Sequence, residues 1–220
     1  MSQVTGKAQV RQADYELLTR IIMTRRSIRR YKPEAPPRNL ILKLIDAARY
    51  APSPTNLQPW LFLIITNKDI VNRMAKTVRV KLDHLFSKEK IIADKNVKEF
   101  GREYFLFFRK APVIIAPLYK PYPPTIKLGY EATAEESLRK KLVSIESTAA
   151  ATQNLLLAAH SMGLGACWLD GALVARKEIE AILGVKSPWE LMCLITLGYP
   201  DEQPRPPRRK KTELITRFIA

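Results

Sequence analysis

The chain has 220 residues, 46% of them hydrophobic, and its 37 Lys and Arg against 21 Asp and Glu give a formal charge of +16. This length and this apolar fraction exclude a disordered or fibrous protein and predict one domain, residues 1–220, with a substantial core. The charge is large enough to attract phosphates, acidic lipids or anionic cofactors, although basic residues are spread over the whole chain, as on a solvated surface.

The compartment is predicted from apolar runs and cysteines. The first twenty residues lack the apolar core of a signal peptide, and no run is long enough to span a bilayer. Cys167 and Cys193 are the only cysteines, and neither has the spacing of a metal ligand. These patterns predict a cytoplasmic protein without a membrane partner.

The N-terminal part of the chain predicts two helices and a buried strand. Apolar residues repeat with helical spacing in "ADYELLTRIIMTRR", behind Asp14 as the predicted N-cap. A second helix is predicted in "PPRNLILKLIDAARYAP", where Pro52 stops it. The short apolar run at residues 60–66 then predicts a buried strand. A cluster of four arginines therefore begins where the first helix ends.

The middle of the chain predicts helix, strand and a covering loop. Residues 68–110 are polar with helical spacing, and "APVIIAPLY" follows as a second buried strand. The proline-rich "KPYPPTIKLGY" predicts a loop or lid over a site. The strongest helical pattern runs from Ser137 to a C-cap expected at Gly163 and Gly165.

The C-terminal part predicts two further strands with a helix between them, and then an arm. The strands are predicted in "ACWLDG" and "ELMCLITLGYP", and the helix in "ARKEIEAILGV". Residues 200–220 form a basic, proline-rich arm whose last residues have the spacing of a strand that docks on a partner. This order of elements predicts an α+β or mixed α/β fold.

Several common catalytic motifs are absent from the sequence. Gly163 and Gly165 end a helix where a dinucleotide fingerprint would open one, and no P-loop occurs. The two histidines, His84 and His160, belong to no metal-binding pattern, and Ser161 lacks the flanks of a nucleophile elbow. If the protein is an enzyme, the simplest explanation is that a bound organic cofactor, and not a set of side chains, performs the catalysis.

Four stretches in order make the chain similar to the FMN-dependent nitroreductase family: "RRSIRRY", "APSPTNLQPWLFLII", "STAAATQNLLLAAHSMGLGACWLDG" and the basic arm after "LITLGYP". The resemblance implies an α+β fold whose central mixed, mainly antiparallel sheet is flanked by helices. It also implies a homodimer with FMN at the subunit interface and a C-terminal arm that reaches the partner subunit. The implied activity is ping-pong hydride transfer from NAD(P)H, through flavin N5, to a small acceptor such as a nitroaromatic or a quinone.

The arginine cluster suits a flavin mononucleotide chemically. Guanidinium groups bind phosphate oxygens in pairs, and a serine among them adds a neutral donor. Extended backbone after the helix would place Arg25, Ser27 and Arg29 on one side and Arg26 and Arg30 on the other. By resemblance we assign four residues to FMN, with Arg30 left outside: Arg25, Arg26, Ser27 and Arg29. A solvated basic turn is the alternative for this stretch alone.

The resemblance implies cofactor contacts in three further segments. The proline loop would lie on the partner's flavin, although Pro54 lacks a donor that the family's serine has; Gln58 and Trp60 would be structural. The turn at residues 168–171 would pass the flavin ring and direct a backbone N–H at N5. Basic residues of the arm would bind the phosphate. The residues carried over are Pro52, Ser53, Pro54 and Asn56 in the loop, Trp168, Leu169, Asp170 and Gly171 in the turn, and Arg208 and Lys210 in the arm.

Two other functions remain open at the level of sequence. A flavin enzyme of different chemistry, such as reductive dehalogenation or flavin cleavage, would carry the same motifs. A basic nucleic-acid-binding protein would carry the same charge, but aromatic residues are not interleaved with the basic runs and no recognition motif occurs. The sequence does not distinguish NADH from NADPH and does not identify the acceptor.

Overall fold

The computed structural model describes residues 11–88, 101, 103–122 and 133–219. Five helices and five strands have defined bounds within these ranges. The helices are α1 (Gln12–Thr24), α2 (Arg38–Ala48), α3 (Lys68–Lys88), α4 (Ala134–Ser161) and α5 (Arg176–Leu183). The strands are β1 (Trp60–Ile65), β2 (Val113–Tyr119), β3 (Gly165–Leu169), β4 (Glu190–Leu191) and β5 (Leu194–Gly198).

The five strands form one sheet in the order β1-β2-β5-β3, and β4 pairs with β2 beside β5. All of these strand pairs are antiparallel. Ser27 adds a single parallel bridge to Ala166 at the outer side of β3. The predicted α+β fold with a mixed, mainly antiparallel sheet is therefore confirmed.

Each face of the sheet carries its own hydrophobic core. Ile114 and Leu118 of β2 belong to the core that contains α3 and α5, whereas Val113 and Ile115 belong to the core with α2 and α4. Successive side chains of a strand point to opposite faces, so a strand between two helical layers must be apolar on both. All seven residues of β2 are buried, as its continuous apolar sequence predicted.

The first strand is less buried than the sequence predicts. Strand β1 forms where expected, but only Ile65 is buried, and the side chains of Leu61 and Ile64 are 41% and 39% exposed. The reason is the sheet order, which leaves β1 at an edge. Trp60 packs against the core on the α2 and α4 side, as expected for a structural residue.

The helix termini differ from the prediction at two points. Helix α1 begins after Arg11, so Asp14 lies in the first turn and is not the N-cap. Helix α4 begins three residues before the predicted start, at a capping box in which Thr133 and Glu136 each bond the other's backbone N–H. The C-cap prediction holds, because Gly163 has a left-handed φ of 74° just after the helix.

The C-terminal elements are more interrupted than predicted. The predicted fourth strand is two strands, β4 and β5, separated by Met192 and Cys193, and the Met192 N–H donates to the Pro117 carbonyl at 2.9 Å. The end of the arm contains a 3-10 turn at Thr212–Leu214, and its docking as a strand on a partner remains a prediction. Residues 123–130, which are most of the predicted lid, lie outside the described part, and so do residues 89–100.

Candidate cofactor site

The arginine segment, residues 24–33, runs beside β3 after helix α1 ends. Ser27 bridges Ala166, and the Ile28 N–H donates to the Ala166 carbonyl at 3.1 Å. Ile28 is buried against Gly165, where a Cβ would lie 2.8 Å from Ile28 Cγ2. Only a glycine permits this approach, so the basic side chains project from backbone that is fixed to the sheet.

A cavity of about 480 Å³ lies between the arginine segment, the end of α4 and the start of the arm. Its basic lining residues are Arg25 and Arg26, and His160 also lines it. Part of the Arg26 guanidinium holds the end of the helix, since Nη1 donates to the carbonyls of Met23 and Arg25 at 2.7 and 2.8 Å. Guanidinium groups are suited to binding anions, and the Glu202 carboxylate lines the same cavity.

The predicted alternation of side chains along the segment fails at Arg25. Arg25 lines the same cavity as Arg26, whereas Ser27 and Arg29 do not line it. The reason is that Arg25 is the C-cap of α1, and the sheet-like pairing starts only at Ser27. Burial raises the pKa of the Cys167 thiol, and the charge of Arg29, a hydrogen bond with Ser27 and the charge of Arg25 oppose this rise.

His160 lies on the cavity wall together with Arg25 and Arg26. Burial, and then the charges of Arg25 and Arg26, lower the pKa of His160. Its Nε2 lies 2.8 Å from Thr24 Oγ1, and the Thr24 hydroxyl donates to the Arg20 carbonyl at 2.6 Å. A neutral His160 that carries its proton on Nε2 and donates it to Thr24 satisfies both contacts.

Glu202 attaches the start of the arm to the arginine segment. Its Oε1 accepts hydrogen bonds from the backbone N–H groups of Arg29 and Arg30, and its Oε2 lies 3.5 Å from Arg30 Nε. The Arg30 side chain is otherwise exposed, as expected for a residue outside the site. Sequence reasoning missed Glu202, and its only signal was an acidic residue at the entrance of a strongly basic arm.

Arg29 has an aromatic environment and an unsatisfied nitrogen. Its guanidinium carbon lies 5.5 Å from the ring centre of Tyr104 and 5.8 Å from that of Phe107, within the range of a cation–π contact. Its Nε is buried and has no hydrogen-bond partner among the described residues. Buried donors are almost always satisfied in native proteins, so this nitrogen indicates a missing acceptor.

The WLDG turn, residues 168–171, follows β3 directly. The indole Nε1 of Trp168 donates to Asp170 Oδ1 at 2.8 Å, and the Asp170 side chain is exposed. Leu169 is buried in the core beside α3, so any contact of Leu169 with a cofactor would involve its backbone. Gly171 packs on Phe105, where an added Cβ would lie 1.9 Å from the ring atom Cδ1. This close approach requires glycine.

The proline loop, residues 52–58, lies apart from the arginine cavity. Its turn is built by positive φ angles at Thr55, Asn56 and Gln58, and the Gln58 N–H donates to Ser53 Oγ at 2.9 Å. Asn56 lines a separate cavity of about 310 Å³, in which Arg49 and Tyr50 take part. Pro52 and Pro54 are exposed. One chain therefore does not bring Asn56 into the cavity of Arg25 and Arg26.

The arm reaches the arginine cavity only with its first residues. Pro204 and Pro206 line the cavity, but Arg208 and Lys210 are exposed and are not among its lining residues. The predicted phosphate contacts of Arg208 and Lys210 remain predictions.

No helix in the described parts of the chain is long and apolar enough to cross a membrane. Over the same ranges, no group of three or more His, Cys, Asp or Glu side chains is arranged to hold a metal ion.

The sequence profile of the nitroreductase family matches residues 22–199, which include β1 to β5 and the arginine segment. The chain belongs to the nitroreductase family. A Bacillus subtilis protein, YfhC, to which NAD(P)H nitroreductase activity is ascribed, is 26% identical over 208 residues, which are 93% of this chain and 94% of that protein.

Solved structures share the fold over almost the whole chain. A BluB-like flavoprotein from Clostridium difficile is 29% identical, with a TM-score of 0.79 over 92% of this chain and 99% of that one. A nitroreductase with bound FMN from Desulfitobacterium hafniense is 21% identical, with a TM-score of 0.70 over 92% and 98%. An iodotyrosine deiodinase bound to FMN and 3-iodo-L-tyrosine is 23% identical, with a TM-score of 0.68 over 92% and 99%.

Proposed function

We propose that the protein is an FMN-dependent oxidoreductase that uses NAD(P)H to reduce a small acceptor such as a nitroaromatic or a quinone. Two observations in the arginine segment carry the proposal: the cavity lined by Arg25 and Arg26, and the buried Nε of Arg29, which has no hydrogen-bond partner among the described residues. Family membership and the similarity to YfhC support the same function. When bound, FMN supplies a ring that accepts a hydride at N5 and passes it to a second molecule in a ping-pong cycle.

The residues of the chain fit this cofactor in charge and in donor chemistry. Arg25 and Arg26 would bind the phosphate dianion, for which guanidinium groups are suited. Ser27 would add a hydroxyl donor, and the free Nε–H of Arg29 would bind an acceptor on the ribityl chain or the ring edge. The WLDG turn would lie beside the ring; it directly follows β3, which pairs with the arginine segment, and its Asp170 is exposed.

The subunit arrangement belongs to the same proposal. The proline loop and the arginine cavity are separate within one chain, which supports a homodimer in which the loop of one subunit reaches the cofactor of the other. Helix α1 supports this arrangement, because it has no buried residue and exposes Leu17, Leu18 and Ile22. In that dimer Arg208 and Lys210 of the arm would complete the phosphate site.

We also propose a cytoplasmic location.

The direct test is the visible spectrum of the purified protein. We expect a yellow protein whose chromophore, released by denaturation, is FMN and which is bleached by NADH or NADPH in the absence of oxygen. Purified protein that is colourless and does not take up added FMN would contradict the proposal. Comparing the two nucleotides in the same assay also determines which of them is the electron donor.

A flavin enzyme of other chemistry is the second candidate. The fold similarity to a BluB-like flavoprotein and to a deiodinase that binds FMN and 3-iodo-L-tyrosine supports it. Both candidates share the FMN site and differ in the acceptor, so assays with nitroaromatics, quinones and halogenated phenols on one preparation separate them. Nucleic-acid binding is a weaker alternative that rests on the charge of +16, and a salt-dependent gel shift with colourless protein would favour it.

A further inference from the structure

The aromatic stretch, residues 104–107, contacts two walls of the proposed cofactor site. Tyr104 and Phe107 lie against the guanidinium of Arg29 in the arginine segment. Phe105 lies against Gly171 in the WLDG turn. The aromatic stretch thus contacts both the arginine segment and the WLDG turn, which are far apart in the sequence.

The contact with Arg29 is specific in its chemistry. Two aromatic rings within 6 Å of one guanidinium favour a defined position of the positive charge, since the ring faces are electron-rich. Phe107 is buried, whereas Tyr104 is 45% exposed and forms an edge-to-face pair with Phe105 at 5.9 Å. Arg29 keeps its Nε without a partner in this position, so the rings orient the group and leave its donor available.

The contact with Gly171 fixes the other wall. The ring of Phe105 occupies the space in which any larger residue at position 171 would place its Cβ. The turn therefore rests on Phe105 directly through its backbone. Packing at this density transmits small displacements, because protein interiors have few voids.

We propose that Tyr104 and Phe107 are positioning residues for Arg29, and that Phe105 positions the WLDG turn, so that this stretch sets the spacing of the cofactor site. The inference rests on the proposed function, since the positioned groups are those assigned to FMN. None of the three aromatic residues needs to touch the cofactor. The aromatic ring of Tyr104, and not its hydroxyl, performs the role.

The test is FMN binding to apoprotein variants, measured by quenching of flavin fluorescence. Tyr104→Leu is expected to raise the dissociation constant about three- to tenfold, the loss of one partly exposed cation–π contact. Tyr104→Phe keeps the ring and is expected to stay within about twofold of the original protein. Trp189→Leu is the matched control, because it removes the ring of another cation–π pair, with Lys120 at 5.5 Å, and Trp189 does not line the arginine cavity.

Thermal unfolding of each apoprotein accompanies the titrations. Tyr104→Met, similar in volume and without a ring, replaces Tyr104→Leu should the latter not fold. Wild-type affinity in the variant that lacks the ring would overturn the inference, and so would an equal loss in Tyr104→Phe. If the unmodified protein itself does not bind FMN, the proposed function fails instead, and the two failures are distinguishable.

Hydrogen–deuterium exchange tests the Phe105 contact without the cofactor. In apoprotein, Phe105→Ala is expected to accelerate exchange in the peptide that covers residues 168–171, because the turn loses the ring that supports it. Tyr104→Leu is the comparison; it leaves the Phe105 ring in place and removes only its edge-to-face partner, so a smaller acceleration is expected in that peptide. Unchanged exchange in Phe105→Ala would overturn the role of Phe105.

Discussion

At the scale of single residues, the site depends on side chains whose surroundings differ although their sequence context is the same. The Arg29 guanidinium lies within 6 Å of two aromatic ring centres, and its Nε is buried. The neighbouring Arg30 side chain is exposed and paired with Glu202. The sequence assigned the two arginines different roles only through the family resemblance. The structure provides the physical difference between them, which is burial and the chemistry of their neighbours.

Replacement of Arg29 is expected to remove the cofactor without unfolding the protein. Arg29→Ala loses a charge-assisted donor, worth about 1.5–3 kcal/mol, and should weaken FMN binding about tenfold or more. The measurement is the flavin content after purification, followed by titration with FMN and a circular dichroism spectrum. Arg30→Ala is the control and should retain FMN. Stoichiometric FMN in Arg29→Ala would exclude the assignment.

His160 is expected to make stability depend on pH. Its pKa is below the ordinary value of 6.5 in the folded state, so the unfolded chain takes up a proton first as the pH falls. The free energy of unfolding should therefore decrease as the pH falls through about 6.5 towards the lower folded-state pKa. Urea unfolding at about pH 7.5 and about pH 5.5 measures the decrease.

The variant His160→Gln should show a smaller decrease over this interval than the original protein, because glutamine does not titrate. His84→Gln removes an exposed histidine on α3 and serves as the control for the loss of an imidazole. An unchanged pH dependence in His160→Gln would show that other groups cause it.

At the scale of elements, the start of the arm is bonded to the arginine segment through the Glu202 carboxylate and a backbone hydrogen bond of Asp201. Glu202 accepts two backbone N–H groups of the arginine segment, and the Asp201 N–H bonds the Arg30 carbonyl at 3.0 Å. These bonds continue the pairing of the arginine segment with the end of β5, where the Lys32 N–H bonds the Tyr199 carbonyl at 2.9 Å. The start of the arm and the arginine segment therefore form one unit.

Loss of the Glu202 carboxylate is expected to loosen this unit. Glu202→Ala leaves two backbone donors without their acceptor and should lower the free energy of unfolding by about 1–3 kcal/mol. Trypsin should then cleave the arm faster after its basic residues 208–211. Asp201→Ala, which changes an exposed side chain and keeps the backbone bond, is the matched control. Equal cleavage rates in the two variants would contradict this role of Glu202.

The helices and strands also show which local sequence patterns predict secondary structure correctly. Strand β2 and the end of α4 were predicted because a continuous apolar run and a glycine C-cap are local patterns. The capping box at Thr133 was equally local and was missed. The exposure of β1 was not predictable from its composition, because it depends on which strand lies beside it.

At the scale of the whole molecule, the separation of the two cavities leads to a test of the proposed homodimer. A cofactor site built from Arg29 of one subunit and Asn56 of the other should show complementation between two defective variants. Arg29→Ala damages one part of the site, and Asn56→Asp places a negative charge near an anionic cofactor while keeping a residue type that tolerates positive φ.

When the two variants are unfolded together and refolded, half of the dimers should be mixed, and each mixed dimer should contain one intact site. We therefore expect FMN binding at about one quarter of all sites, against weak binding in either variant alone. Sedimentation measures the oligomeric state of the same samples. No recovery in dimers that have demonstrably exchanged subunits would place both residues in the same subunit's site.

The sequence by itself determined the elements that local periodicity encodes, the cluster of arginines and, through four ordered motifs, the family. Those properties depend on residues close together in the chain. Only the tertiary structure decided that β1 is an edge strand, that Glu202 bonds the arginine segment and that Tyr104 and Phe107 surround Arg29. Such contacts join distant segments, and the order of strands in the sheet determines them, which no local pattern records.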